Sequence, residues 1–224
     1  MRGRKPFYRR FLSEMKYSDL PAVLLVTTVW CYWFGVGVMI VRARHRTRDL
    51  AGLVPEQSFE RAMWVIWIPL VIAWIVLPWL SLNRASGWFS VPQFAKEEAP
   101  YAALRWLAAA TGLACLAMTA WCWSRMGKDW RMDVSEKRKG TLITDGLFSY
   151  VRHPIYSLSM LLMICSAIII ASPPMLLVAA VHLVLMNLKA RHEERHLLAT
   201  HGEPYAQYLR RTGRFFPRLG AQTS

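Results

Sequence analysis

Arg152, His153, Pro154 and Tyr156 close a polar, turn-rich stretch, LITDGLFSYVRHPIY (residues 142–156), that leads into an apolar segment. Proline is well accommodated at the first position of a helix, where its missing N–H would have had no intrahelical partner. Pro154 is therefore expected to open an apolar helix running to about residue 172. Arg152 and His153 then stand at the positive end of that helix, beside unpaired backbone N–H groups. Such a mouth suits an anionic group, for example the carboxylate of an amino-acid-derived cofactor. The plain alternative is an interfacial basic pair of the kind that routinely flanks membrane helices.

A second set of candidate residues lies further along the chain. His182, Met186, Lys189, Glu193 and His196 follow one another at i, i+4, i+7, i+11 and i+14, which places them along one helix face. A histidine within an apolar span is costly, so His182 marks either a functional group or a hydrogen bond to a neighbouring helix. Lys189 and Glu193, one turn apart, would be a weak ion pair on a solvated helix. At a membrane boundary facing Arg-His-Pro they become candidate ligand groups.

The same segment spells HEERH at residues 192–196, the pattern in which two histidines hold zinc and the glutamate acts as a general base. Arg195 would put a positive charge beside such a metal, and His201 falls off the extended metzincin spacing. No metal is assigned on this basis, and a zinc peptidase stands last among the alternatives. Neither GxSxG, a Walker-type loop nor a DxD pattern occurs. The chemistry is expected to rest on a cofactor and on positioning.

Membrane helices must hold these groups in place. The chain has 224 residues, 54% hydrophobic with eleven Trp, yet a formal charge of +14. Nucleic-acid binding would explain such a charge on a polar domain, but here Lys and Arg lie beside long apolar runs. Five such runs, over residues 21–41, 63–82, 101–123, 155–172 and 175–188, are expected to form about five transmembrane helices of an all-α integral membrane protein. Runs of about 20 residues suffice to cross a hydrocarbon core of roughly 30 Å. The first exceeds a signal-peptide core and lacks a cleavage pattern, so it is read as a retained span. Pro173-Pro174 separates the fourth and fifth spans and implies a tight hairpin. Residues 87–100 are read as the flexible connection. Cys31, Cys115, Cys122 and Cys165 all fall in apolar runs with no paired motif, so they are read as free thiols.

Five spans put the two ends of the chain on opposite sides. Lys and Arg then number eighteen on the carboxyl-terminal side and eight on the other, so the carboxyl-terminal side is expected to be cytoplasmic. The six basic residues of the amino-terminal tail run against this count. The loop before the fourth helix and the extension of the fifth both emerge on the cytoplasmic face, where the short hairpin makes them neighbours. Arg-rich loops and the lack of an organelle signal favour a bacterial inner membrane.

The segments MGKDW (126–130), GTLITDGLFSYVRHPIY (140–156), EERHLLATHGEPYAQY (193–208) and RFFP (214–217) resemble the isoprenylcysteine carboxyl methyltransferase family and its phospholipid methyltransferase relatives. The resemblance covers about the last 120 residues. It divides the chain into residues 1–100, a tail and two membrane helices, and residues 101–224, a methyltransferase core. It implies S-adenosyl-L-methionine as cofactor, held by Thr141, Leu142, Ile143, Phe148, His153, Pro154, Ile155, Tyr156 and Glu193. It also implies a substrate-orienting role for Lys189, beside which the helical spacing sets His182. The acceptor is expected to be a lipophilic small molecule or lipid bearing a carboxylate, thiol or amine. Gly140 stands where a histidine is common, Phe148 where a tyrosine is usual, Lys189 in place of arginine and His201 in place of phenylalanine. Lys189 cannot grip a carboxylate with two prongs as arginine does. A non-catalytic membrane sensor or assembly protein and a small-thiol S-methyltransferase are the other readings.

Overall fold

The computed structural model describes residues 19–47, 58–83, 87–127 and 142–218. Thr141, Gly140, residues 128–130 of the MGKDW motif and the amino-terminal tail lie outside the described residues. The elements are α1 (Leu20–Thr47), α2 (Ser58–Asn83), α3 (Gln93–Glu97), α4 (Ala99–Met126), a 3-10 turn (Gly146–Ser149), α5 (Pro154–Ile170), α6 (Pro173–His201) and α7 (Glu203–Arg211). The expected all-α membrane architecture is observed. α1, α2, α4 and α6 are each long and apolar enough to cross a membrane, and α5 is a shorter apolar helix.

Seventeen residues give α5 a length of about 25 Å. It can be short because protein surrounds it: α5 touches α1, α2, α4 and α6. Leu162, Met163, Ile169 and Ile170 are completely buried. Pro154 does occupy the first helical position, preceded by His153 in a non-helical conformation (φ −123°, ψ 62°). Ala171 turns the chain at φ 49°, and Pro173 opens α6 directly after the buried Ser172. This is the hairpin implied by Pro173-Pro174.

An aromatic cluster fills the bundle near its middle. Trp74 is fully buried and donates from Nε1 to Ser166 Oγ at 3.0 Å, while Tyr32 and Trp33 pack on it from α1. Gly35 lets Trp123 approach α1, since a Cβ there would come within 2.6 Å of the indole.

At the far end from the candidate residues, Arg105 and Asp19 form a bidentate ion pair at 2.6 and 2.7 Å. Both are buried, and Arg105 also donates to the Ile169 carbonyl at 2.8 Å. The pair ties the start of α1 to α4 and the end of α5. Residues 87–100, read from sequence as a flexible connection, are instead partly helical. They contain α3, whose Ala95 is completely buried, with Val91 buried beside it. Val91 just before the helix and Ala95 within it both pack inward, and this docks a short helix that composition marks as loop.

Candidate functional site

Two elements meet at the end of the bundle where α5 begins. α5 presents His153, Tyr156 and Ser159 to a cavity, and α6 presents His182, Met186, Lys189 and Glu193 to the same cavity. α1, α2 and α4 add the rings of Tyr32, Trp33, Trp67 and Trp123. Four of the five residues spaced along the α6 face thus point into one space. The fifth, His196, does not: its Nε2 lies 3.3 Å from Thr200 Oγ1, a local contact outside the cavity.

The mouth of the cavity is built by interlocking polar contacts. The Tyr156 hydroxyl donates to Glu193 Oε2 at 2.9 Å. The His153 ring stacks parallel on Tyr156, with centroids 5.2 Å apart. His153 Nδ1 lies 3.6 Å from Glu193 Oε2, and Nε2 lies 3.4 Å from Glu194 Oε1. Nε2 is buried and makes no hydrogen bond.

Glu194 does a different job from its neighbour. Arg152 Nε donates to its Oε1 at 2.9 Å, and Arg214 donates to its Oε2 at 2.5 Å through Nη2 and at 3.0 Å through Nε. Burial acts to raise the pKa of this carboxyl, but the contacts from His153, Arg214 and Arg152 outweigh burial and hold it well below the usual carboxylate range. Sequence reading placed Arg152 at an anion-binding mouth; the structure corrects this. Arg152 lines the cavity, yet its guanidinium is committed to Glu194 and to the carbonyls of Leu209 and Thr212. One helix position rotates a side chain by about 100°, which is why adjacent glutamates face a cavity and a clamp respectively.

The tail closes the clamp. Backbone N–H groups of Arg152 and His153 donate to the carbonyls of Gly213 and Arg214 at 2.9 and 3.2 Å, and Ser157 Oγ donates to the Phe215 carbonyl at 2.9 Å. Any side chain at Gly213 would collide with the Phe216 carbonyl. The RFFP motif is thus the strand-like strip that holds Arg-His-Pro in place. From α7, the Tyr208 hydroxyl donates to the Phe148 carbonyl at 2.5 Å, which fixes the 3-10 turn. Burial pushes the Tyr208 phenol up to about 12. Gly146 permits that turn at φ 60°, since a Cβ there would press on Trp121 at 2.8 Å.

Phe148, His153, Pro154, Ile155, Tyr156, Glu193, Lys189 and His182 all line the cavity. Leu142 and Ile143 are half-buried in the approach to the 3-10 turn and are not part of this lining. Sequence reasoning missed Glu194, Arg214 and Tyr208 as the residues that organise the mouth. Their motifs were legible, but their partners lie 20 to 60 residues away. Among the described residues, no group of three or more His, Cys, Asp and Glu is placed to hold a metal ion. Within HEERH, Glu193 lines the cavity and Glu194 is held by Arg152 and Arg214.

An all-helical integral membrane protein with a polar, aromatic-walled pocket at one end of its bundle is the class that fold and site define. More particularly, residues 108–199 match the isoprenylcysteine carboxyl methyltransferase (ICMT) family, which bears out the resemblance carried by the motifs. The chain is also similar to the cobalt-zinc-cadmium resistance protein CzcN of Cupriavidus metallidurans, at 29% identity over 62% of this chain and 66% of the relative. A nickel-cobalt-cadmium resistance protein, NccN of Alcaligenes xylosoxydans xylosoxydans, is 29% identical over 51% of this chain and 53% of its own length. The chain thus spans less than two thirds of the length of these relatives.

Proposed function

We propose that this protein is an S-adenosylmethionine-dependent methyltransferase acting on a lipophilic acceptor within the membrane. The observation that supports this reading is the convergence of His153, Tyr156 and Glu193 on one cavity, inside the segment that matches the methyltransferase family.

The chemistry of the cavity suits the cofactor. Glu193 offers a carboxylate, and the surrounding indole and phenol rings offer faces that attract a cation. Phe148, His153, Pro154, Ile155, Tyr156 and Glu193 would hold it, with Thr141, Leu142 and Ile143 completing its enclosure as the resemblance implies. S-adenosylmethionine, when bound, supplies a methyl group on a positively charged sulfur. The protein's own contribution is positioning and exclusion of water. Tyr156 orients Glu193 and His153 braces Tyr156, while the apolar walls keep water out. Lys189, one turn from Glu193 on the same face, orients the acceptor, which reaches the site from the bilayer. The site faces the cytoplasm in this reading, with the protein in a bacterial inner membrane.

Calorimetric titration of the detergent-purified protein with S-adenosylhomocysteine tests the proposal. Saturable binding that is lost in Glu193→Ala is the expected result. No binding to folded protein would instead favour a non-catalytic sensor or assembly protein on the same scaffold. The relatives add a second, physiological reading, because both are named for resistance to metal ions. A deletion strain with unchanged tolerance to cobalt and cadmium would remove it.

A further inference from the structure

A groove of about 530 Å³ runs between α1 and α4, outside the site described above. That volume falls within the roughly 300–1,000 Å³ typical of small-molecule sites. One wall extends along α1 from Cys31 to Arg42, and the other along α4 from Leu116 to Gly127. Each wall covers eleven helical steps, or about 16 Å, close to half of a hydrocarbon core of roughly 30 Å. Cys31 is as far along α1 from its first residue, Leu20, as from Arg42. The groove therefore occupies the half of the span that ends on the same side as the cavity, which Met126 of α4 also lines. Phe34, on the lip of the groove, is 75% exposed, so in a membrane the lip faces lipid.

The lining of the groove carries a single charge among the described residues. Arg42 stands exposed at one end of it and pairs with no acidic group among the described residues. Arg125, on α4, is by contrast held by Asp145. The Ser124 hydroxyl donates to the Trp121 carbonyl at 2.7 Å, so the other side chains offer an occupant apolar contact. An apolar slot one leaflet deep, with a cation at its outer end, matches a lipid with an anionic head group. Trp123, seated against Gly35, is the residue common to the linings of groove and cavity, and it forms the partition between them. Arg42 does not line the cavity. A head group held there stays apart from Tyr156 and Glu193, so the occupant is not the methyl acceptor.

We propose that the α1–α4 groove binds one anionic glycerophospholipid of the surrounding leaflet, its head group paired with Arg42 and one acyl chain lying along Ala120 and Leu116 toward Cys31. In the orientation proposed above this is the cytoplasmic leaflet. The bound lipid fills the space beside Trp123 and so supports the helix pair that walls the cavity. A ligand that binds only the folded protein stabilises it. The site does not depend on the methyltransferase reading.

The test follows thermal unfolding and native mass spectra of delipidated protein in non-ionic detergent. The probes are phosphatidylglycerol, phosphatidylcholine and sn-glycerol 3-phosphate. Phosphatidylglycerol should bind as a single equivalent and raise the unfolding temperature. It should bind about fivefold more tightly than phosphatidylcholine, the worth of one basic residue beside an anionic lipid. Arg42→Gln should abolish that preference. Arg44→Gln removes the same charge from an exposed position outside the groove and should keep it. Ala120→Phe fills the groove from an exposed position, leaves every charge in place and should abolish retention of both lipids. Glycerol 3-phosphate, a head group without a chain, should not stabilise. Equal losses in Arg42→Gln and Arg44→Gln would mean diffuse attraction to a basic surface and overturn the proposal. Selective retention of phosphatidylglycerol in Ala120→Phe also overturns it, as does stabilisation by glycerol 3-phosphate equal to that by the lipid. If Ala120→Phe does not fold, Leu116→Trp is judged by the same criteria.

Discussion

The Tyr156 hydroxyl reaches from α5 to α6 and donates to Glu193 Oε2 at 2.9 Å. The bond joins the Arg-His-Pro-x-Tyr motif to the Glu-Glu motif, 37 residues apart in sequence. It fixes the one carboxylate of the pair that lines the cavity.

Removing either partner should weaken cofactor binding without unfolding the bundle. Tyr156→Phe frees Glu193 to move, and a hydrogen bond to a charged group is worth about 1.5–3 kcal/mol. S-adenosylhomocysteine affinity should therefore fall by about tenfold or more in Tyr156→Phe, and further in Glu193→Ala. Calorimetry showing wild-type affinity in both variants would take Glu193 out of the site.

Lys189→Ala should separate acceptor from cofactor. Its place on the cavity wall, one turn deeper than Glu193, predicts a higher KM for a lipophilic acceptor with S-adenosylhomocysteine affinity held. A loss confined to cofactor affinity would contradict the assignment.

Glu194 gives a prediction in pH. Although burial opposes ionisation, the contacts from His153, Arg214 and Arg152 depress its pKa below the ordinary value of 4.5. A depressed carboxylate contributes stability that is present above its unfolded pKa and lost as pH falls toward the folded one. The unfolding temperature in detergent should thus hold from neutral pH to about 5, as far as this group governs it, and drop below that. Glu194→Gln should remove this acid-linked drop and cost about 3–5 kcal/mol at neutral pH, since it strands two arginines. A variant with the wild-type acid profile would show that Glu194 is not the linked group.

The Arg105–Asp19 pair should matter for folding and not for the site. Asp19→Ala leaves a buried guanidinium without its carboxylate, at a cost of about 3–5 kcal/mol. Adding Arg105→Met should recover part of that loss, because an apolar replacement of both partners removes the stranded charge. Thermal unfolding of the single and double variants reads this directly. A double variant less stable than Asp19→Ala would argue against the account.

Apolar length, proline and glycine positions, and helical spacing were local properties, so sequence alone determined much of this protein. The membrane helices, the start of α5 at Pro154 and the shared face of His182, Met186, Lys189 and Glu193 follow from periods and propensities that a chain expresses without partners. What the tertiary structure decided was which polar groups meet. Arg105 reads as an awkward charge until Asp19 stands opposite it. Glu193 and Glu194 are the same residue type side by side, and only packing against Tyr156 on one side and Arg152 and Arg214 on the other divides them. His182 is an apolar-span histidine until Ser159 from α5 stands 3.1 Å from its Nε2. Ion pairs and hydrogen bonds are short-ranged and directional, so they are settled by where folding brings distant segments, and no local period encodes that.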